Sequence, residues 1–594
     1  MARERWAGRE RDLRKRGFLG VGTERGGWPA AVLGAAALAV CLTLCPAGSF
    51  YSTDSGVNYL LARRLAEGGR SLSLDLPAGS LGGARLPDDT TALRGMNGHL
   101  PPHMFLSRRE PGWAVTYPPL LAALSAPALR LFGDRGLELL PAVAGLGTAW
   151  IAARLLAGCG ASAGSTLLFV LLGTPMLFYS VVFWGHSLAA FLVMAGLWSW
   201  LRGRAVLAGV LTALAVAIRT ETLAILAAFP VAVLFAEART LQTIRKLATW
   251  GAGAGGVLGV LGLFNLWALG SPMGIHAAAV LPAARSGGDI STLTSLTRLG
   301  SNLWHYLGAN HRMAWDLNLL VIGLLLGACA AAAVPAGRLR ATLLALAATG
   351  GVLGLAFALA VPGQYAPGLL FVMPAAALAP LGFRERWQEP SRFWRLLAGF
   401  VAADLLIVAS IAPPGGWQWG PRYLLPIVPL VALAALQAWR QAPRTTLLLV
   451  VCSLGMQVAS VRDLRGQLQA QDWLAGQVAG KAPIVTDVWF LTWQMLPTFW
   501  DRAVVYAGSA EELSGRLRAL EARGAETAWL VSGQWRDEQQ KSVPGASYAA
   551  AIAAAGWHAS REGACAFPTG DRVGLWRVRK SSPGGAAAAS QPRR

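Results

Sequence analysis

Long apolar runs alternating with short basic clusters set the pattern of this chain. The first, "WPAAVLGAAALAVCLTLC" from Trp28, has about the 20 residues needed to cross a hydrocarbon core. Similar runs recur near 138–157, 164–182, 187–201, 205–219, 222–236, 248–268, 317–334, 341–361, 366–381, 396–412, 422–438 and 445–461. Together with 29–47 they predict an all-α polytopic membrane protein of about thirteen transmembrane helices. The first run lacks a small-residue cleavage site, so it reads as an anchor that stays. The segment 116–133, "TYPPLLAALSAPALRLFG", is apolar but carries three prolines and Arg130. It is expected as an interfacial helix. If it crossed, the basic residues of the later short loops would move outside, against the positive-inside rule.

Beyond 461 the period changes. "PIVTDV", "AVVYAG" and "TAWLVS" read as strands, and "SAEELSGRLRALEARG" reads as a helix between them. That alternation predicts a small C-terminal α/β domain. The expected organisation is a basic cytoplasmic tail (1–28), a transmembrane domain (29–461) with a first external loop (48–137), an extracytoplasmic α/β domain (462–580) and a disordered tail (581–594). The second large external loop is 269–316.

Composition agrees with the pattern. Of 594 residues 54% are hydrophobic and 14% charged, where a soluble domain carries roughly a quarter charged. The net charge of +21 would suit nucleic acid, but the basic residues sit between apolar runs, which is a membrane-topology pattern. No nucleic-acid partner is expected. The six cysteines show neither disulfide nor zinc spacing, and Cys565 alone lies in polar sequence.

Candidate chemistry gathers at the predicted outer ends of helices. In "YSTDSGVNYLLARRLAEGG", Val57, Leu60, Leu61 and Leu65 share a helical face opposite Arg63, Arg64 and Glu67, as in a helix lying on the outer leaflet. Asp54 at its start reads either as an N-cap or as a general base. "LFYSVVFWGHSLAAF" places His186 at a helix end, and "AVAIRTETLAI" places Arg219 and Glu221 at a hairpin turn. Ionisable groups inside apolar stretches are paired or functional, and Arg219 with Glu221 fits either reading. Arg422 and Tyr423 in "WQWGPRYLLPIVPL" fit snorkelling or anion binding. "PDDT", with Asp88 and Asp89, reads as a solvated loop.

The order of these pieces is similar to a known family. An Asp and an aromatic in the first external loop are followed by "YPPLLAALSAPALRLFG", then "LAGVLTALAVAIRTETLAI" and a late "PRYLLPIVPL". Over roughly 29–440 the chain resembles the GT-C integral-membrane glycosyltransferases, in particular bacterial relatives of protein O-mannosyltransferases and lipid A aminoarabinose transferases. Two positions depart from that pattern. His186 stands where the family often has a second acid, and Tyr117 where many members have a lysine before the paired prolines. The resemblance implies a multi-pass bacterial inner-membrane enzyme with a cytoplasmic N-terminus. It would move a sugar from a polyprenyl-phosphate donor to an acceptor hydroxyl on a glycan, lipid or protein, with inversion. Asp54 would be the catalytic base or an acid that orients the acceptor. Arg219, Arg422, Tyr117 and Tyr423 would hold the donor phosphate, with Arg285 or Arg312 as further cations, and Tyr59, His186 and Glu221 would line the site. No cofactor or metal is expected, since no acidic D-x-D motif is present. A lipid or glycan flippase, a non-catalytic membrane scaffold and a lipid-linked oligosaccharide polymerase or ligase remain alternatives.

Overall fold

The computed structural model describes residues 27–46, 48–69, 72–74, 106–109, 112–115, 117–157, 162–272, 274, 292–363, 366–387, 392–411, 419–478, 480–498, 504–534, 545–568 and 572–581. Asp88, Asp89, Arg285, Cys159 and both expected tails except residues 27, 28 and 581 lie outside the described residues. The chain divides into two compact units. The first comprises Met1–Leu42, Glu138–Phe264 and Gly287–Val461. The second comprises Thr43–Leu137, Asn265–Ser286 and Arg462–Arg594.

The first unit is helical. Stretches long and apolar enough to cross a membrane include Leu241–Leu269, Arg338–Ala360, Arg392–Ile411 and Pro443–Gln477. Their outward faces are apolar: Val260, Leu263 and Trp267 are 70%, 70% and 82% exposed. Exposed apolar surface of that extent is what a lipid-facing helix presents. Inside, Phe229 packs against the rings of Trp200, Trp250 and Phe400. Three predicted spans are not single helices; the run 422–438 begins as a 3-10 turn over Arg422–Leu424, ahead of helix Val428–Gln437. The run 164–182 breaks into Ala163–Leu172 and Met176–Ser180. The run 366–381 breaks into Leu369–Val372, a 3-10 turn over Pro374–Leu378 and a helix from Ala379. Pro175 and Pro374 sit at these two breaks, where a missing N–H and the ring clash stop an α-helix from continuing.

Helix Leu120–Phe132 is separate from Gly136–Ala157. At 13 residues it is roughly 20 Å long, short of a hydrocarbon core of about 30 Å. Gly133, with φ of 63°, supports the break in a conformation that side chains disfavour. A Cβ on Gly136 would overlap the Ala128 carbonyl, so the chain turns sharply between the two helices.

The second unit carries two sheets. Strands β1 (Ser73–Leu74), β2 (Leu106–Arg109) and β3 (Gly112–Val115) form an antiparallel sheet in the order β1-β3-β2. The larger sheet joins β4 (Ile484–Thr486), β5 (Val504–Tyr506), β6 (Thr527–Gln534), β7 (Trp557–Ala566) and β8 (Arg572–Lys580) in the order β5-β4-β6-β8-β7. β4 runs parallel to β5 and β6, while β8 is antiparallel to β6 and β7. Alternate residues feed opposite cores: Ile484 and Val531 pack with Leu474, Leu491 and Leu575, while Val485 and Leu530 pack with Leu517, Ile552 and Val578. The three predicted strands are present. The β7–β8 hairpin was not foreseen, because its residues mix arginines with apolar positions and lack a clean period.

Helix Pro443–Gln477 runs through the point where the last apolar stretch ends. Residues 462–477 are polar but rich in Arg, Leu, Gln and Ala, so only the solvent-facing chemistry changes and the helix persists. It contributes to the first unit as far as Val461 and to the second from Arg462.

Candidate active site

"STDS" offers four good N-capping residues in a row. The backbone selects Ser52: its extended conformation (φ −124°, ψ 152°) lets Oγ accept from the Ser55 amide at 3.3 Å. Asp54 therefore lies in the first turn of helix Thr53–Ala66 and does not cap it. A carboxylate there is favoured by the positive end of the helix dipole. Asp54 is 7% exposed. The Tyr117 hydroxyl donates to its Oδ1 at 2.8 Å, and Asn58 Nδ2 donates to its backbone carbonyl at 2.8 Å. Beside Tyr117 a small hollow of about 10 Å³ is lined by Leu61, Leu72, Val115, Pro119 and Leu269.

The surface-lying helix expected here is corrected. Every residue from Asp54 to Ala62 is buried, because the helix packs against Leu120–Phe132 and Trp489–Gln494. Val57, Leu60 and Leu61 pack inside protein, at 0%, 1% and 2% exposure. Tyr59 is also fully buried. Its hydroxyl accepts from Arg63 Nη1 at 2.8 Å, and its ring lies 5.5 Å from that of Phe50. Burial, reinforced by the charge of Asp134, pushes the Tyr59 hydroxyl up to about 12. Tyr59 is thus a packing residue, with no surface on which to line an acceptor. Tyr117, expected on phosphate, directs its hydroxyl to Asp54.

The first unit holds the second group. Helix Ala205–Ile218 ends at Arg219, which is extended (φ −145°, ψ 113°), and a 3-10 turn over Thr220–Thr222 leads into Leu223–Ala236. That turn brings Arg219 Nε to Glu221 Oε1 at 2.6 Å, with the side chains 6% and 16% exposed. His186 opens helix His186–Leu201, its Nδ1 3.9 Å from Glu221 Oε1. Its ring lies 4.8 Å from Trp184 and 5.1 Å from Tyr179. The Arg422 guanidinium lies 5.4 Å from the Trp184 ring centroid and 4.8 Å from that of Tyr423, and its Nη2 donates to the Tyr423 hydroxyl at 2.9 Å. Arg219, Glu221, His186, Arg422 and Tyr423 therefore belong to one cluster. The forked donors of a guanidinium suit an anion such as phosphate. Arg312 has a different engagement, donating from Nε to the Gly363 carbonyl at 3.2 Å.

Two acids escaped the sequence reading. Asp404 lies within helix Arg392–Ile411, fully buried, and neither carboxylate oxygen has a hydrogen-bond partner among the described residues. The signal was there, an acid inside "AGFVAADLLIVASI". Asp487 follows β4 and accepts from Ser532 Oγ at 2.5 Å and the Gly533 amide at 2.7 Å. Burial pushes its carboxyl up to about 6. Among the described residues no three His, Cys, Asp or Glu side chains converge as metal ligands do.

No protein-family model matches the chain, and no curated protein does. Among solved structures it is similar to ArnT from Cupriavidus metallidurans in the apo state, at 14% identity over 96% of this chain and 99% of that one, with a TM-score of 0.40. The same protein bound to undecaprenyl phosphate gives 15% identity, the same coverage and 0.40. The oligosaccharyltransferase of Archaeoglobus fulgidus, in complex with zinc and sulfate, gives 13% identity over 85% of this chain and 67% of that one, with a TM-score of 0.43. At such scores the function is argued from the residues.

Proposed function

We propose that this protein is a membrane glycosyltransferase that uses Asp54 as its base and a polyprenyl-phosphate-linked sugar as its donor. The observation that carries the reading is a nearly buried carboxylate in the first turn of a helix, oriented by the Tyr117 hydroxyl at 2.8 Å. A general base needs that kind of fixed carboxylate, because proton transfer demands hydrogen-bond distance to the attacking hydroxyl. In this mechanism an acceptor hydroxyl attacks the anomeric carbon. Its O–C bond forms as the bond from that carbon to the phosphate oxygen breaks, and the hydroxyl proton passes to Asp54. The lipid phosphate departs with the bonding pair, and the configuration inverts. A phosphate leaving group requires positive charge, and the family resemblance assigns that part to Arg219 and Arg422.

The test is turnover by purified protein with a polyprenyl-phosphate sugar and an acceptor chosen from envelope glycolipids whose mass changes when the gene is deleted. Asp54→Asn should lower the rate ~10²–10⁴-fold, the range of a general base. Near-normal turnover would remove Asp54 from the chemistry. Asp404 favours a second reading, lipid or glycan transport, since buried acids in membrane helices mark proton and ion pathways. Translocation of labelled lipid in vesicles, lost in Asp404→Asn and kept in Asp54→Asn, would select it.

A further inference from the structure

The stretch that delivers Asp54 is held by residues more than 400 positions away. The Phe50 amide donates to the Gln494 carbonyl at 2.7 Å, and Gln494 Nε2 donates to the Tyr51 carbonyl at 2.8 Å. From helix Pro443–Gln477, Gln471 Nε2 reaches the Phe50 carbonyl at 3.3 Å and Gln467 Nε2 reaches the Tyr51 carbonyl at 3.2 Å. Both amides also donate to Gln494 Oε1, at 2.7 and 3.3 Å, which fixes the orientation of the Gln494 side chain. Thr498 Oγ1 donates to the Gly48 carbonyl at 2.5 Å. Two residues past Asp54, Gly56 lies so close to Trp493 that a Cβ would overlap its carbonyl oxygen.

These contacts share two properties. They fall on backbone groups of Gly48, Phe50 and Tyr51, so they fix the path of the chain whatever its side chains. The hydrogen bonds also end at Tyr51, one residue before the Ser52 cap, so the clasp sets where the first turn begins. A domain that merely covered a site would have no reason to make backbone contacts immediately before the base.

We propose that the C-terminal α/β domain acts in cis as the holder of the catalytic base, with Gln467, Gln471 and Gln494 as positioning residues and Gly56 as the close contact that seats the helix. The proposal rests on the reading of Asp54 as base and adds what that reading leaves open, the role of the domain. Positioning matters because a misplacement of about 1 Å can cost ~10²-fold in rate.

The experiment uses full-length protein in detergent or nanodiscs and compares Gln494→Ala, the milder Gln494→Glu, Gln467→Ala and Gly56→Ala with Asp54→Asn. Gln494→Glu keeps the acceptor oxygen and loses the amide that reaches Tyr51. Hydrogen exchange over 49–59 reads the clasp without reference to activity, and steady-state kinetics read its effect on the base. Gln494→Ala, Gln494→Glu and Gly56→Ala should speed exchange in that stretch. They should lower kcat ~10–100-fold with the donor KM within about twofold, and Gln467→Ala should do less. Gly56→Ala is the sharpest arm, since alanine favours an isolated helix and any loss must come from the contact with Trp493. Unchanged exchange in Gln494→Glu would overturn the clasp. Faster exchange with unchanged kcat would overturn the positioning role. Normal turnover by Asp54→Asn would overturn the base itself, while the exchange readout still judged the clasp.

Discussion

The two polar groups differ in the sequence separation of their hydrogen-bonded pairs. Arg219 and Glu221 are two residues apart and meet because one turn folds back on itself at 2.6 Å. Arg422 and Tyr423 are neighbours and bond at 2.9 Å. The Asp54 group depends on distant partners: Tyr117 is 63 residues away and Gln494 reaches Tyr51 across 443. A local pair survives small changes elsewhere in the chain. A group assembled over such separations exists only when the whole unit is folded, so its chemistry is coupled to folding. Substitutions in the first group should act on binding and those around Asp54 on rate, and the predictions below are arranged to break that contrast.

The largest effect belongs to the base. Because Ser52 holds the cap, Asp54→Ala should lose the same ~10²–10⁴-fold in turnover as Asp54→Asn, without the loss of helix stability that follows removal of a cap. Kinetics and thermal unfolding of the two variants, measured side by side, check this. A lower melting temperature for the alanine variant alone would return Asp54 to a structural role.

The arginines come next. Arg219→Ala or Arg422→Ala should weaken donor binding roughly ten- to a hundredfold, the worth of a charge-assisted phosphate hydrogen bond. Arg392→Ala, remote from this cluster in sequence, should leave binding unchanged. Arg219→Ala also strands the Glu221 carboxylate, so Arg219→Ala combined with Glu221→Gln separates loss of the phosphate ligand from that penalty. Binding of a labelled polyprenyl-phosphate lipid is the measurement. Equal affinity in all variants would place the phosphate elsewhere.

The same contrast explains what the sequence could disclose. Apolar runs of bilayer length, the paired charges at the Arg219 turn and the three core strands are local patterns, and periodicity reads them. The breaks at Pro175 and Pro374 were visible as prolines, yet apolar composition outweighed them. Asp404 was overlooked for the same reason, a single acid inside a run whose average remained apolar. The amphipathic face of Thr53–Ala66 is a true pattern that does not give its location. Apolar spacing says that a face is covered, and leaves open whether lipid or protein covers it. Nothing in "STDS" selects Ser52 as the cap, since the choice is made by backbone angles that the clasp helps to set. Glutamines 467, 471 and 494 carry no signature at all; only the fold shows that they converge on one strand of chain.

A smaller effect concerns pH. The Asp487 carboxyl is raised from its ordinary 3.8 to about 6, chiefly by burial, with Ser532 and Gly533 opposing. The neutral acid therefore fits the folded domain better than the carboxylate does. Its stabilising contribution is fully present below pH 3.8 and is lost as pH rises through 6, on the order of 3 kcal/mol across that window. Thermal unfolding of the purified full-length protein between pH 4.5 and 7.5 should show this fall, and Asp487→Asn should flatten it. An unchanged slope in the variant would assign the pH dependence to other groups.

The smallest effect separates cap from base most cleanly. Ser52 Oγ accepts from the Ser55 amide at 3.3 Å, so Ser52→Ala leaves a donor of the first turn without its side-chain acceptor. Replacing a capping serine by alanine typically costs about 1 kcal/mol, and Ser52→Gly a few tenths. Neither substitution touches the Asp54 carboxylate or the Tyr117 hydroxyl. Because the glutamine clasp fixes the backbone up to Tyr51, the first turn should stay in place while the protein loses stability. Ser52→Ala should therefore lower the melting temperature and leave kcat of the folded enzyme within about twofold of wild type. Asp54→Ala should do the reverse. If Ser52→Ala instead cut kcat as deeply as Asp54→Ala, the cap would be needed to aim the base, and the clasp alone would not suffice to position the turn.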